Sequence, residues 1–132
     1  MVKISLPLDH YLWKILCICS LCLLLYLTLT PQMIKSFNIP HIDKLFHMIA
    51  FFGVSSLFLL AFSRLPTWQI VTLMILLGIV IEAAQYYIPG RSFSWLDWLA
   101  DNVGVLFGLV SFKVLQRHNL IEPDKAPIKT SL

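Results

Sequence analysis

An all-α fold, a four-helix transmembrane bundle, is what this sequence predicts, and three observations predict it. The chain of 132 residues is 58% hydrophobic and only 13% charged, about half the charged share of a soluble domain. Its apolar residues gather in four runs of about 20, the length that crosses a hydrocarbon core of ~30 Å. Polar or Pro/Gly-bearing joints separate the runs. Mean hydropathy is +0.81. Such a chain cannot cover a water-facing surface, and four spans leave no room for a separate soluble domain. Residues 1–132 therefore read as one integral membrane domain. The net charge of +3 is modest and spread over loops and ends, which argues for orientation and against nucleic-acid binding.

The first span is expected at about 11–30. Lys14 lies near its start and can snorkel to the headgroups. The run is long for a signal peptide, and no small-residue cleavage site follows before Pro31-Gln32, so an uncleaved span is expected. Its three cysteines, Cys17, Cys19 and Cys22, include a CxxC spacing. Redox or metal chemistry needs an accessible, electropositive setting, so they read as packing residues. Residues 31–40 form a polar connector with Lys35. The second span is expected at about 43–62, with Asp43 placed to cap it. Arg64-Leu-Pro66-Thr67 makes a turn in which Pro66 ends one helix and Thr67 can cap the next. The third span covers about 68–88 and is broken by Pro89-Gly90. Ser92 or Ser94 can cap the fourth, at about 95–115. Residues 117–132 read as a polar, loosely ordered tail.

Lysine and arginine counts set the orientation. Lys3, Lys14, Arg64, Lys113, Arg117, Lys125 and Lys129 fall on one side; Lys35, Lys44 and Arg91 fall on the other. Both termini are expected in the cytoplasm. Tyr11, Trp13 and Trp68 then mark the inner interface, and Tyr26, Tyr86, Tyr87, Trp95 and Trp98 the outer one.

Ionisable groups at membrane depth are costly and default to a functional hypothesis. Here they cluster. Asp43, Lys44 and His47 are at the outer end of span two, Glu82 and Gln85 at the outer end of span three, and Arg91 in the turn. Asp97, Asp101 and Asn102 are in the first turns of span four. At 1.5 Å per residue, Glu82 and Asp101 lie only about 10 Å below the turn. Helical phase puts Asp43, His47, Ala50 and Val54 on one stripe. Gly78, Glu82, Gln85 and Pro89 form a second stripe, and Asp97, Asp101, Gly104 and Gly108 a third. Asn102 points about 140° away from Asp97. Gly104 and Gly108 make a GxxxG motif that permits close helix approach. Turned toward one another, the stripes predict a bundle tight on one side and opening outward into a pocket lined with carboxylates.

Each motif has a plainer alternative. Glu82 can be a functional acid or the partner of Lys44 or Arg91 in a bundle-locking pair. Asp97 and Asp101 can hold a divalent metal, share a proton or bind a cation, or simply complement the helix dipole. His47 is a candidate general base or ligand, or an ordinary hydrogen-bonded histidine. Arg91 can grip a phosphate or carboxylate, or neutralise Glu82 or Asp97. His10, His41 and His118 read as interface or tail residues. No glycine-rich phosphate loop, HExxH or GxSxG motif is present.

The ordered set Asp43-Lys44-x-x-His47, Glu82-x-x-Gln85, Pro89-Gly90-Arg91, Asp97-x-x-x-Asp101, Gly104 and Gly108 resembles the VanZ-like family. That family is named for an accessory protein of a glycopeptide-resistance cluster that lowers susceptibility to teicoplanin. The resemblance covers Asp43 to about Gly108. Asp101 takes a position where that pattern often has Asn. The resemblance implies a bacterial cytoplasmic membrane protein of the cell envelope, and a class and setting rather than a reaction.

Three functions follow as expectations. The first is a protein that binds a lipid-linked cell-wall precursor, a glycopeptide or another amphiphilic envelope ligand, using Asp43, Lys44, His47, Glu82, Gln85, Arg91, Asp97 and Asp101, in contact with membrane lipids. The second is an intramembrane hydrolase or transferase acting on a lipid headgroup. His47 or Glu82 is then the catalytic base, and Asp97 and Asp101 hold a divalent metal as cofactor. The third is an assembly subunit whose polar residues only join helices; it predicts that Glu82→Lys with Arg91→Glu restores function.

Overall fold

The computed structural model describes residues 6–8, 10–30 and 41–122. Four helices carry the fold: α1 (Tyr11–Leu29), α2 (Ile42–Ala61), α3 (Thr67–Gln85) and α4 (Trp95–Arg117). All four are long and apolar enough to cross a membrane, with mean hydropathies of 2.2, 1.8, 1.9 and 1.4 in chain order. Two-residue stretches flank them, β1 (Leu6–Pro7) and β2 (Ile121–Glu122), and these pair in parallel as Leu6↔Ile121 and Pro7↔Glu122. This bridge is too short to add a sheet layer to the helical bundle. It does hold the two described ends of the chain together, at the end of the bundle away from the α3–α4 turn. The connector at 31–40 and the tail at 123–132 lie outside the described residues.

The helix limits follow from local chemistry. α2 starts after His41, whose backbone is left-handed (φ 61°) and whose carbonyl accepts from Lys44 N–H at 3.2 Å. Asp43 was expected to cap this helix; it sits in the first turn, and its carboxylate takes Lys44 instead. Likewise Thr67 is the first residue of α3, and Pro66 before it offers no side-chain cap. Ser94 does cap α4, its hydroxyl accepting from Asp97 N–H at 3.2 Å. α3 ends at Gln85, three residues before the expected limit. Pro89 disfavours helical backbone at the residue before it, and Tyr87 N–H and Ile88 N–H close the end with bonds to Ala84 and Gln85 carbonyls. α4 runs to Arg117. Asn119 (φ 53°) then turns the chain, with Asn119 N–H on Gln116 O and Leu120 N–H on Leu115 O. That bond pair is a Schellman stop, so the first residues of the supposed tail are ordered and Ile121 is buried.

The apolar core contains Phe51, Leu59, Met74 and Ile81, all nearly inaccessible. Large apolar residues such as Ile18, Trp68, Val80 and Leu106 face outward on every helix, as lipid-facing residues do. α2 and α4 pack most extensively, and glycine is the reason. A Cβ at Gly104 would run into the Met48 carbonyl and Phe52 N–H of α2, and one at Gly108 into Ser55 Oγ. The GxxxG face therefore meets Met48, Phe52 and Ser55 of α2, the face beside the stripe of His47, Ala50 and Val54, which turns toward α1.

Candidate functional site

Three of the four helices bring ionisable residues to the same end of the bundle. His47 stands within two turns of the start of α2, Glu82 one turn before the end of α3, and Asp97 and Asp101 within two turns of the start of α4. His47 and Asp97 are 5% and 9% exposed, Glu82 and Asp101 0% and 1%. Their burial follows from the small residues packed beside them. Gly104 lets α4 close onto α2. Gly78 leaves room for Asp101, whose Oδ2 would lie 3.2 Å from a Cβ placed there.

The contacts form one network. His47 Nδ1 lies 2.9 Å from Asp101 Oδ1 and 3.8 Å from Glu82 Oε1. Glu82 Oε2 accepts from Ser94 N–H at 2.9 Å, and Ser94 in turn caps the helix that carries Asp97. Lys44 Nζ bridges Asp43 Oδ2 at 3.0 Å and Asp97 Oδ1 at 2.9 Å. Two carboxylate oxygens, Glu82 Oε1 and Asp101 Oδ2, are buried with no hydrogen-bond partner among the described residues. Such atoms are uncommon and costly. Three carboxyl groups thus meet one ammonium and one imidazole, with Asp43 half-exposed at the margin.

Several expectations need correcting. Glu82 pairs with neither Lys44 nor Arg91. Lys44 serves Asp43 and Asp97, and Arg91 Nη2 donates to the Thr30 carbonyl at 3.4 Å. Gln85 faces α1, where its Nε2 donates to the Thr28 carbonyl at 3.0 Å. Asn102 stays outside the cluster and donates to Trp98 O on its own helix. Asp97, expected with Asp101 as a metal pair, also has His47 and Glu82 for neighbours: ligand atoms of these three all lie within 4.8 Å of one another.

Glu82, Asp97 and Asp101 are buried, and none of them lines the cavity found beside them. The cavity of about 490 Å³ lies between α1 and α2, walled by Leu23, Leu24, Leu27, Ile49, Ala50, Val54 and Leu57. His47, Thr28 and Arg91 stand at its polar end, and Gly53 lines it further in. The hydroxyls of Ser20 and Thr28 are occupied by carbonyls of their own helix, Cys17 and Leu24, so the wall is effectively apolar. His47 is the one residue that belongs to both the cavity and the buried cluster. The part played by α1 was missed from sequence, because an unbroken apolar run gives no sign of which face is recessed. Thr28, a hydroxyl in that run, was the available signal.

A family model described as VanZ/LLP1 matches residues 8–116, which takes in α1 as well as the polar motifs. No curated protein and no solved structure matches the chain.

Proposed function

The chain belongs to the VanZ/LLP1 family, and from that premise we propose that it is a cell-envelope protein of the bacterial cytoplasmic membrane that binds an amphiphilic, lipid-linked ligand. The tail of the ligand lies in the cleft between α1 and α2, and its anionic head meets Arg91 beside His47. The observation that carries this reading is the cleft itself. It is apolar for about 12 Å of helix, from Ile49 to Leu57, and ends at a guanidinium with no carboxylate in ion-pairing range among the described residues. A forked cation at the mouth of an apolar slot matches a phosphate on a hydrocarbon chain. Both termini are cytoplasmic in this reading, by the charge bias of the loops, so the cleft opens toward the outer leaflet. A cell-wall precursor and a lipid-bearing glycopeptide share the required chemistry, which is how the protein would alter teicoplanin susceptibility.

Native mass spectrometry of the protein in mild detergent tests this. Gly53 lines the cleft and has nothing within 4 Å of a Cβ position, so Gly53→Leu directs a side chain into the cleft. The variant should lose a co-purifying anionic amphiphile, and Arg91→Ala should weaken its retention. Unchanged retention in the double variant sinks the reading.

A second reading, an intramembrane hydrolase or transferase, draws on the His47–Asp101 bond. An imidazole oriented by a carboxylate at one nitrogen, and standing on a cavity wall, is the arrangement of a general base. Turnover of a lipid-linked substrate that disappears in His47→Gln would favour it over binding alone.

A further inference from the structure

We infer that His47, Glu82 and Asp97 form a binding site for a divalent transition-metal cation inside the bundle. The inference does not depend on what the cleft binds.

The donor set comes first. One imidazole and two carboxylates from three different helices have ligand atoms within 4.8 Å of one another. Ligands at 2.0–2.2 Å from one ion are about 3–4 Å apart, so closure needs side-chain shifts of about 1 Å and no backbone movement. Imidazole with carboxylate suits zinc, iron or manganese, whereas calcium and magnesium favour all-oxygen shells.

An independent observation points to a missing partner. Glu82 is fully buried and its Oε1, 3.8 Å from His47 Nδ1, has no hydrogen-bond partner. The other oxygen, Oε2, is fixed by Ser94 N–H, so the carboxylate is held with its free oxygen toward the imidazole. Among the described residues no donor reaches that oxygen; a cation would supply the missing partner. Charge is compatible: were the imidazole neutral and Glu82, Asp97 and Asp101 ionised, Lys44 would leave a surplus of negative charge for a dication to offset.

The surroundings resemble the support of a metal site. Asp101 bonds His47 Nδ1 at 2.9 Å, so His47 would offer the ion its other nitrogen, Nε2, in the carboxylate–histidine arrangement that fixes tautomer and ring orientation. Lys44 occupies Asp97 Oδ1 and leaves Oδ2 for the ion. In this assignment Asp101 is a positioning residue and not a ligand.

The test uses the full chain in detergent, dialysed against chelator and then titrated with Zn²⁺ and with Mn²⁺. The expected result is one tightly bound equivalent of one of these ions, measured by elemental analysis, with a rise in Tm of several degrees. Glu82→Gln and Asp97→Asn, which keep side-chain shape, should each weaken binding at least tenfold. Asp101→Asn should weaken it less, and Asn102→Ala, outside the cluster, should leave it unchanged. Failure of the wild-type protein to bind either ion stoichiometrically overturns the proposal, and that result needs no variant to fold. Binding that survives in the Glu82→Gln/Asp97→Asn double variant overturns it as well, since the ion would then sit elsewhere.

Discussion

His47 Nδ1 and Asp101 Oδ1 lie 2.9 Å apart and join α2 to α4 inside the bundle. The same two helices touch one turn further in, where Gly104 lies against the Met48 carbonyl. The hydrogen bond and the backbone approach support each other. The glycine brings the helices close enough for a short imidazole to reach the carboxylate. The bond in turn satisfies a polar pair that close packing has sealed from solvent.

Removing one member of this pair should therefore cost more than its exposed equivalent. Asp101→Ala leaves His47 buried without its partner and is expected to destabilise by about 3–5 kcal/mol. Asp101→Asn retains a group that can bond the ring and should cost less than half of that. Thermal unfolding in detergent reads both. A His47→Ala/Asp101→Ala cycle should be clearly non-additive; additive costs would mean that the two do not interact.

The glycines should rank by what a methyl would meet. Gly104→Ala meets backbone of α2, which cannot rotate away, and should cost about 1–3 kcal/mol. Gly108→Ala first meets Ser55 Oγ, a side chain with other rotamers, so its cost should be smaller. Gly53→Ala meets nothing and should be neutral, or stabilising by up to about 1 kcal/mol through helix propensity. Melting temperatures in one detergent give the order; a Gly53 variant worse than the Gly104 variant contradicts the packing described.

Much of this arrangement was legible in the sequence. Four apolar runs gave four helices, because length and hydropathy alone decide a span. Helical phase brought His47, Glu82, Asp97 and Asp101 to a common interior, because a polar group in such a run has few other places to go. Pairing was not legible. Whether Lys44 meets Glu82 or Asp97 depends on rotations of a few tens of degrees, which the 3.6-residue period does not fix. The cleft was also hidden, since Leu24 and Val54 look the same in sequence whether they pack together or stand apart. Pro89 shortened α3 locally, yet the signal that it ends at Gln85 was only the general bias against helix before proline.

The observed pairing makes a specific claim about charge reversal. Glu82→Lys with Arg91→Glu should not restore stability or function, because these residues do not touch: Arg91 reaches the Thr30 carbonyl and Glu82 the Ser94 N–H. Lys44→Asp with Asp97→Lys reverses a pair that is in contact at 2.9 Å. It should recover part of what Lys44→Asp alone loses, although Asp43 beside it favours the original sense. Expression level and Tm of the four single and two double variants measure this. Rescue by the first pair and not by the second would refute the network.

The two ends of the chain give a prediction about topology. Leu6↔Ile121 pairing holds the segments before α1 and after α4 side by side, as four spans with both ends on one side of a membrane require. In the proposed orientation, drawn from the lysine and arginine bias, that side is the cytoplasm. A fluorescent protein fused after residue 132 should therefore fold and emit, while a cysteine placed at Arg91 should react with a membrane-impermeant thiol reagent added outside intact cells. Native thiols supply little background, since Cys17 is buried and Cys19 and Cys22 lie within α1. The bias rests on a few charges, so Lys113→Glu with Arg117→Glu should weaken it and give a mixed population. A reagent-protected residue 91 in the parent protein would reverse the orientation and turn the cleft toward the inner leaflet, where a precursor carried on the cytoplasmic face becomes the ligand to test.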